Sequence, residues 1–250
     1  SMSYAIGSFK PDGGWYEGVG YWNYTTEYLV RFMAALENTT GTTYEIEDAE
    51  GLEKTPYFPI HMTGEKVCFN VGDCGEFVPT IASMFYFAKK YDQPALGGIR
   101  YEQLNKELRM VTLWDIIWYD ENSIDPNWKN VISKDAYYSG IESASFRNSY
   151  ESENMYYAAI CGGKNGETHG QLDKGSFVYE ANGVRWAIDL GLEKYSLKNY
   201  WIYEDSQFSR WNYYRSRAEG HNTLVIDSGY YADQAVDGEA KMIQYVSRDN

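Results

Sequence analysis

Cysteine, histidine and positive charge are all scarce in this chain. Its 250 residues hold three cysteines and three histidines. Cys68, Cys74 and Cys161 form no disulfide framework, being odd in number and sparse, and their spacing matches no zinc motif. Lys and Arg number 22 against 36 Asp and Glu, a net charge of −14. That balance argues against nucleic acid as a partner, because phosphate contacts need a basic surface. The same field repels a heavily sulfated polyanion. No apolar run of about 18 residues occurs, so nothing reads as a membrane span. Ser1-Met2-Ser3 lacks the basic and apolar regions of a signal peptide. Ser1 ahead of Met2 reads as a tag remnant, so the natural chain is expected to begin elsewhere. No repeat or low-complexity segment is visible.

Aromatic residues, by contrast, are abundant: 17% of the chain, with 25 Tyr and 8 Trp. Aromatic faces stack on sugar rings, although most of these side chains are expected to pack in strands and helix faces. The order of elements points to α+β. From Tyr21 onward the spacing predicts a helix with Tyr21, Tyr24, Tyr28, Phe32 and Leu36 on one packing face, ending at Thr39-Thr40-Gly41. Further helices are predicted over 77–91, stopped by Pro94, and over 101–113 or on to 118, with Leu104, Leu108 and Val111 buried. Between them, 56–76 is a loop broken by Pro and Gly. Its turn Asn70-Val71-Gly72-Asp73-Cys74-Gly75 is polar enough to point into a cleft, and His61 reads as a structural loop histidine. Composition shifts near Asp120. Residues 1–125 are therefore expected to be helical and 126–250 an antiparallel sheet region. Strands are predicted at 136–141, 144–148, 155–161, 176–180, 184–190, 221–227 and 242–246.

The most informative stretch runs from His169 to Asp189. Ser176 to Glu180 reads as a strand, Asn182-Gly183 as a turn that tolerates positive φ, and Val184 to Leu190 as the return strand. The hairpin gathers His169, Gln171, Asp173 and Asp189 near one sheet edge. A polar-ended surface hairpin explains the spacing equally well.

A second stretch, Gly220-His221-Asn222-Thr223-Leu224, shifts that balance. Together with His169-Gly170-Gln171-Leu172-Asp173-Lys174-Gly175-Ser176-Phe177 and Gly183-Val184-Arg185-Trp186-Ala187-Ile188-Asp189-Leu190-Gly191, it resembles the heparinase II/III-like polysaccharide lyases. An earlier segment holding Asp12, Gly13, Glu17, Gly18, Tyr21 and Tyr24 is similar to the one that carries that family's catalytic Tyr. The resemblance covers most of the chain and implies the last helices of an α/α toroid followed by part of an antiparallel β-sandwich. Much of the toroid, with the Asn or His it gives to the site, is expected upstream of residue 1. Tyr21 and His169 are implied as catalytic, with Glu17, Trp22, Tyr24 and Arg217 at the substrate. Gln171, Asp189 and His221 stand at the family's metal positions, implying one zinc or other divalent ion. Gln171 replaces a histidine there and is a poor zinc ligand, which leaves three alternatives: a lost site, another ion, or a hydrogen-bond cluster.

The chemistry implied is β-elimination beside a uronic acid. A base takes the C5 proton once the carboxylate is neutralised, and an acid protonates the leaving O4. Tyrosine suits both roles if a positive neighbour lowers its pKa from about 10; His169 is either that neighbour or the base itself. The expected partner is an acidic polysaccharide, the setting secreted or periplasmic, and the fragment alone inactive. The alternative is a carbohydrate-binding or structural β-sandwich protein that kept the fold and lost the chemistry.

Overall fold

The computed structural model describes residues 2–248 apart from 78, 80, 152–153, 205, 207 and 227–232. Helices fill the first half: α1 (Met2–Gly7), α2 (Gly18–Thr40), α3 (Phe58–His61), α4 (Ser83–Lys90), α5 (Pro94–Lys106) and α6 (Leu113–Trp118). α2 ends where predicted. Gly41 adopts the left-handed conformation, and its N–H bonds Glu37 O at 2.8 Å.

The packing face of α2 is not the predicted one. Val19, Trp22, Thr26, Val30 and Met33 are buried, while Tyr24, Tyr28 and Phe32 are 63%, 56% and 42% exposed. Both stripes repeat at helical spacing, and the polar tip of tyrosine lets the aromatic one face water. Pro94 opens α5 rather than merely stopping α4, because a first-turn proline gives up no hydrogen bond. The helix predicted through 101–118 is two helices. Thr112 caps α6 in a reciprocal bond with Asp115, and Leu108 and Val111, in the connection, are exposed. Asp115 then pairs with the fully buried Arg100, Nε to Oδ1 at 2.7 Å and Nη2 to Oδ2 at 2.9 Å, tying α6 to α5.

After residue 135 the described residues form strands, turns and short 3-10 helices. β1 (Ala136–Tyr138), β2 (Ser143–Arg147), β3 (Tyr156–Ile160), β5 (Phe177–Ala181) and β6 (Val184–Ala187) form one antiparallel sheet in the order β1-β2-β3-β5-β6. β4 (Gly163–Lys164) and β7 (Glu239–Ala240) make a separate pair. The architecture is α+β, as the order of elements implied. The Asn182-Gly183 turn has φ of +52° and +78°, and pairs Ala181 with Val184 across a two-residue loop. The described residues of 221–227 and 242–246 are irregular rather than strands; Asp227 lies outside the described residues.

Buried charges join the two halves. Arg147 Nη2 donates to the carbonyls of Ile60, His61 and Thr63 at 2.9, 3.1 and 2.7 Å. Arg185 donates to Val67 O at 2.8 Å and Cys68 O at 3.1 Å. Glu180 accepts from the Glu65 N–H at 2.7 Å. The 56–76 segment, which opens with α3 where the sequence predicts loop throughout, is thereby fastened along the sheet, with its polar turn at the rim.

Candidate active site

Tyr21 lies in the first turn of α2. Gly18 enters the helix with φ +77°, and the bare Gly20 lets its N–H approach Cys74 Sγ at 3.3 Å. The polar turn is thus drawn under the helix start. Gly72 has φ +59°, and a Cβ there would fall 2.6 Å from the His169 carbonyl oxygen, so only glycine lets the turn close on the His169 segment. The Asp73 N–H completes the contact, donating to His169 O at 2.8 Å.

These contacts bring Tyr21 and His169 face to face, ring centroids 4.1 Å apart and nearly parallel. The Tyr21 hydroxyl shares a 2.5 Å hydrogen bond with that of Tyr195. His169 Nδ1 donates to Asp73 Oδ2 at 3.2 Å and lies 3.5 Å from the Tyr195 hydroxyl. Glu17, Tyr21, Tyr24, Thr25, Asp73 and His169 line an open depression of about 600 Å³. Burial pushes the Tyr21 hydroxyl above its ordinary value; the bond to Tyr195 pulls the other way, and the charges of Asp73 and Glu17 add to the rise. The lowering by a positive neighbour that the sequence reading makes a condition is not met: burial comes first, and the charges of Asp73 and Glu17 add to it. Glu17 is raised too, by burial first, against the opposing influence of His169.

The remaining candidates divide. Glu17 and Tyr24 sit in the depression. Trp22 does not: it is fully buried on the opposite side of α2, its Nε1 donating to Thr55 Oγ1 at 2.7 Å, so it is a core residue. Arg217 forms a two-pronged pair with Glu219 and is not among the depression's lining residues. Asp189 and His221 meet, Oδ2 accepting from Nδ1 at 2.7 Å. Burial opposes a charged His221, yet the Asp189 bond and the Asp173 charge outweigh it and raise its pKa. Gln171 turns its Nε2 to Asp73 Oδ1 at 3.0 Å. Gln171 Oε1 and His221 Nε2 are buried without a partner among the described residues. His61 is structural as read, its nitrogens facing the Tyr138 hydroxyl at 2.8 Å and Ser133 O at 3.0 Å.

Sequence reasoning missed Tyr195, Trp201 and Arg210. Trp201, half exposed, stands edge-on to His169 at 5.7 Å and to Tyr195 at 4.7 Å. Arg210 is fully buried, with Nη2 2.5 Å from Asp73 Oδ1. The only signal for them was the density of aromatics between 195 and 214.

Residues 146–244 match the family model described as Heparinase II/III-like, C-terminal. The heparinase II/III-like resemblance is borne out. Among solved structures, the heparinase III product of BT4657 aligns with a TM-score of 0.52 and 16% identity over 90% of this chain and 32% of its own. The heparan sulfate lyase HepC of Pedobacter heparinus aligns at 0.51 and 13%, over 90% and 32%. At these identities the likeness to the two lyases is one of fold. The chain spans about a third of their length. No curated protein sequence matches significantly.

Proposed function

We propose that this heparinase II/III-like chain belongs to a polysaccharide lyase that cleaves a uronic-acid-containing glycan by β-elimination. The observation that carries the proposal is the stacked Tyr21–His169 pair at the mouth of an open depression. Tyr21, whose pKa is raised, keeps its proton at neutral pH and so suits the acid that protonates the leaving O4. His169 engages its described partners through Nδ1, which leaves Nε2 to take the C5 proton. Tyr24 and Trp201 offer exposed aromatic surface beside the pair for sugar rings. A glycan substrate fits a secreted or periplasmic setting. Among the described residues no helix is long and apolar enough to cross a membrane.

Asp189 and His221, with Gln171 Oε1, are the residues that would hold a divalent ion; the two unpartnered atoms are the features that favour one. The ion would supply rigidity to the sheet rim. A second reading, carbohydrate binding without cleavage, has its own support. The described lining of the depression holds Glu17 and Asp73 but no Lys or Arg to neutralise a uronate carboxylate.

The test is ultraviolet absorbance of unsaturated uronate product after incubation with heparan sulfate, hyaluronan and alginate. The full-length gene product is assayed beside the 250-residue chain. Product that disappears with Tyr21→Phe supports the lyase. Glycan binding without product from the full-length protein establishes the second reading instead.

A further inference from the structure

His169 is held in a conformation that side-chain-bearing residues rarely adopt. Its φ is +59°, in the left-handed region, which disfavours a residue with a Cβ and persists only where the surroundings over-determine it. Three contacts do so here. The Asp73 N–H donates to the His169 carbonyl at 2.8 Å. The His169 N–H donates to the Tyr203 hydroxyl at 3.1 Å. Nδ1 donates to Asp73 Oδ2 at 3.2 Å.

All three lead to one buried cation. Arg210 Nη1 donates to the Tyr203 hydroxyl at 2.6 Å, and Nη2 to Asp73 Oδ1 at 2.5 Å and the Tyr200 hydroxyl at 3.0 Å. Its guanidinium lies over the Tyr200 and Tyr203 rings at 4.4 and 4.7 Å. Asp73 Oδ1 also accepts from Tyr200 at 2.6 Å and from Gln171 Nε2 at 3.0 Å. Three donors therefore crowd one carboxylate oxygen, and the other is left for the imidazole. A buried carboxylate matched by a fixed guanidinium is a rigid acceptor, since neither side chain has another place to put its charge.

We propose that Asp73, locked by Arg210, is the positioning residue of the site. It fixes the His169 ring and holds the proton on Nδ1, so that Nε2 presents its lone pair to the substrate. The purpose of this hold rests on the proton-transfer reading of His169; the hold itself does not. The Asp73 carboxylate is itself fully buried, although the residue borders the depression. It acts through the imidazole, as an orienting group acts on a general base.

The hold can be read without any turnover. The chain has three histidines, so 15N-labelled imidazole signals are assigned by subtraction in His169→Ala and His61→Gln variants. Wild-type His169 is expected as the Nδ1–H tautomer. Asp73→Asn leaves Arg210 as an unpaired buried charge and is at risk of not folding. The paired variant D73N/R210M removes both charges and keeps the volume. It is expected to fold, to lose the single tautomer, and to lower kcat roughly 100-fold with KM changed less than about threefold. In a His169→Ala background the same pair is expected to lower kcat no further, because the residues act as one unit. An Nε2–H tautomer in the wild type overturns the proposal, as does a paired variant that keeps the wild-type tautomer. So does a kcat loss that adds to that of His169→Ala. If the tautomer behaves as expected while no protein form yields unsaturated product, the lyase reading fails and the hold stands.

Discussion

Two histidine–carboxylate pairs lie near the same sheet rim, and they are built differently. His221 and Asp189 are both almost fully buried, their bond is 2.7 Å, and Asp189 also accepts from the Gly191 N–H at 2.8 Å. His169 is partly exposed, its bond to Asp73 is longer at 3.2 Å, and its partner is already matched by Arg210. The first pair is closed off from solvent, and the carboxylate raises the pKa of the imidazole it bonds. In the second, the carboxylate is answered elsewhere, and the imidazole keeps a partly exposed edge. Burial and the location of the countercharge separate the two pairs, although the residue types are the same.

The comparison is broken most severely at the exposed pair. On the proposed lyase reading, His169→Ala and Tyr21→Phe are each expected to lower turnover by the full-length protein roughly 10²–10⁴-fold while leaving its thermal midpoint nearly unchanged. Initial rates and a melting curve decide this; wild-type rates in Tyr21→Phe would remove Tyr21 from the mechanism. At the buried pair the expectation is reversed. Asp189→Ala strands His221 and is expected to cost about 3 kcal/mol of stability in urea denaturation, far more than His169→Ala does.

The third histidine sharpens the contrast through pH. Burial, then the Arg147 charge, lowers the His61 pKa from 6.5 to about 4. A depressed imidazole pKa means that the unfolded state binds the proton first as pH falls. Its stabilising contribution is therefore fully present above about 6.5 and is lost as pH falls toward the folded value of about 4. His61→Gln is expected to flatten the stability profile over that window, and an unchanged slope would count against the burial argument. The smallest effect belongs to Tyr24. Tyr24→Ala is expected to alter stability by less than about 0.5 kcal/mol and to weaken glycan affinity by about 1 kcal/mol, both readable by calorimetry.

What was legible in the sequence follows from where its signals are local. The Asn182-Gly183 hairpin, the Gly41 end of α2 and the switch from helix to strand all rest on residues adjacent in the chain. Tyr21 and His169 were found through motifs rather than periodicity. Asp73 was visible only as part of a polar turn, and for Arg210 and Tyr195 there was only the density of aromatics around them. The described residues of 190–220 form turns and single 3-10 turns with no repeating pattern, and Arg210 meets Asp73 across 137 positions of sequence. The packing face of α2 was misread because two stripes at helical spacing competed, and hydropathy does not tell a wet tyrosine from a buried one.

The Arg147, Arg185 and Glu180 contacts that fasten the 56–76 segment along the sheet bear on modularity. A boundary drawn at residue 125 separates helices from strands but divides the site, with Tyr21 and Asp73 on one piece and His169, Tyr195 and Arg210 on the other. Severing the chain there by protease, or exchanging either piece with a homologue's, leaves guanidinium groups without the carbonyls that satisfy them. The heritable unit, in recombination as in protein engineering, is therefore the helical and sheet parts together.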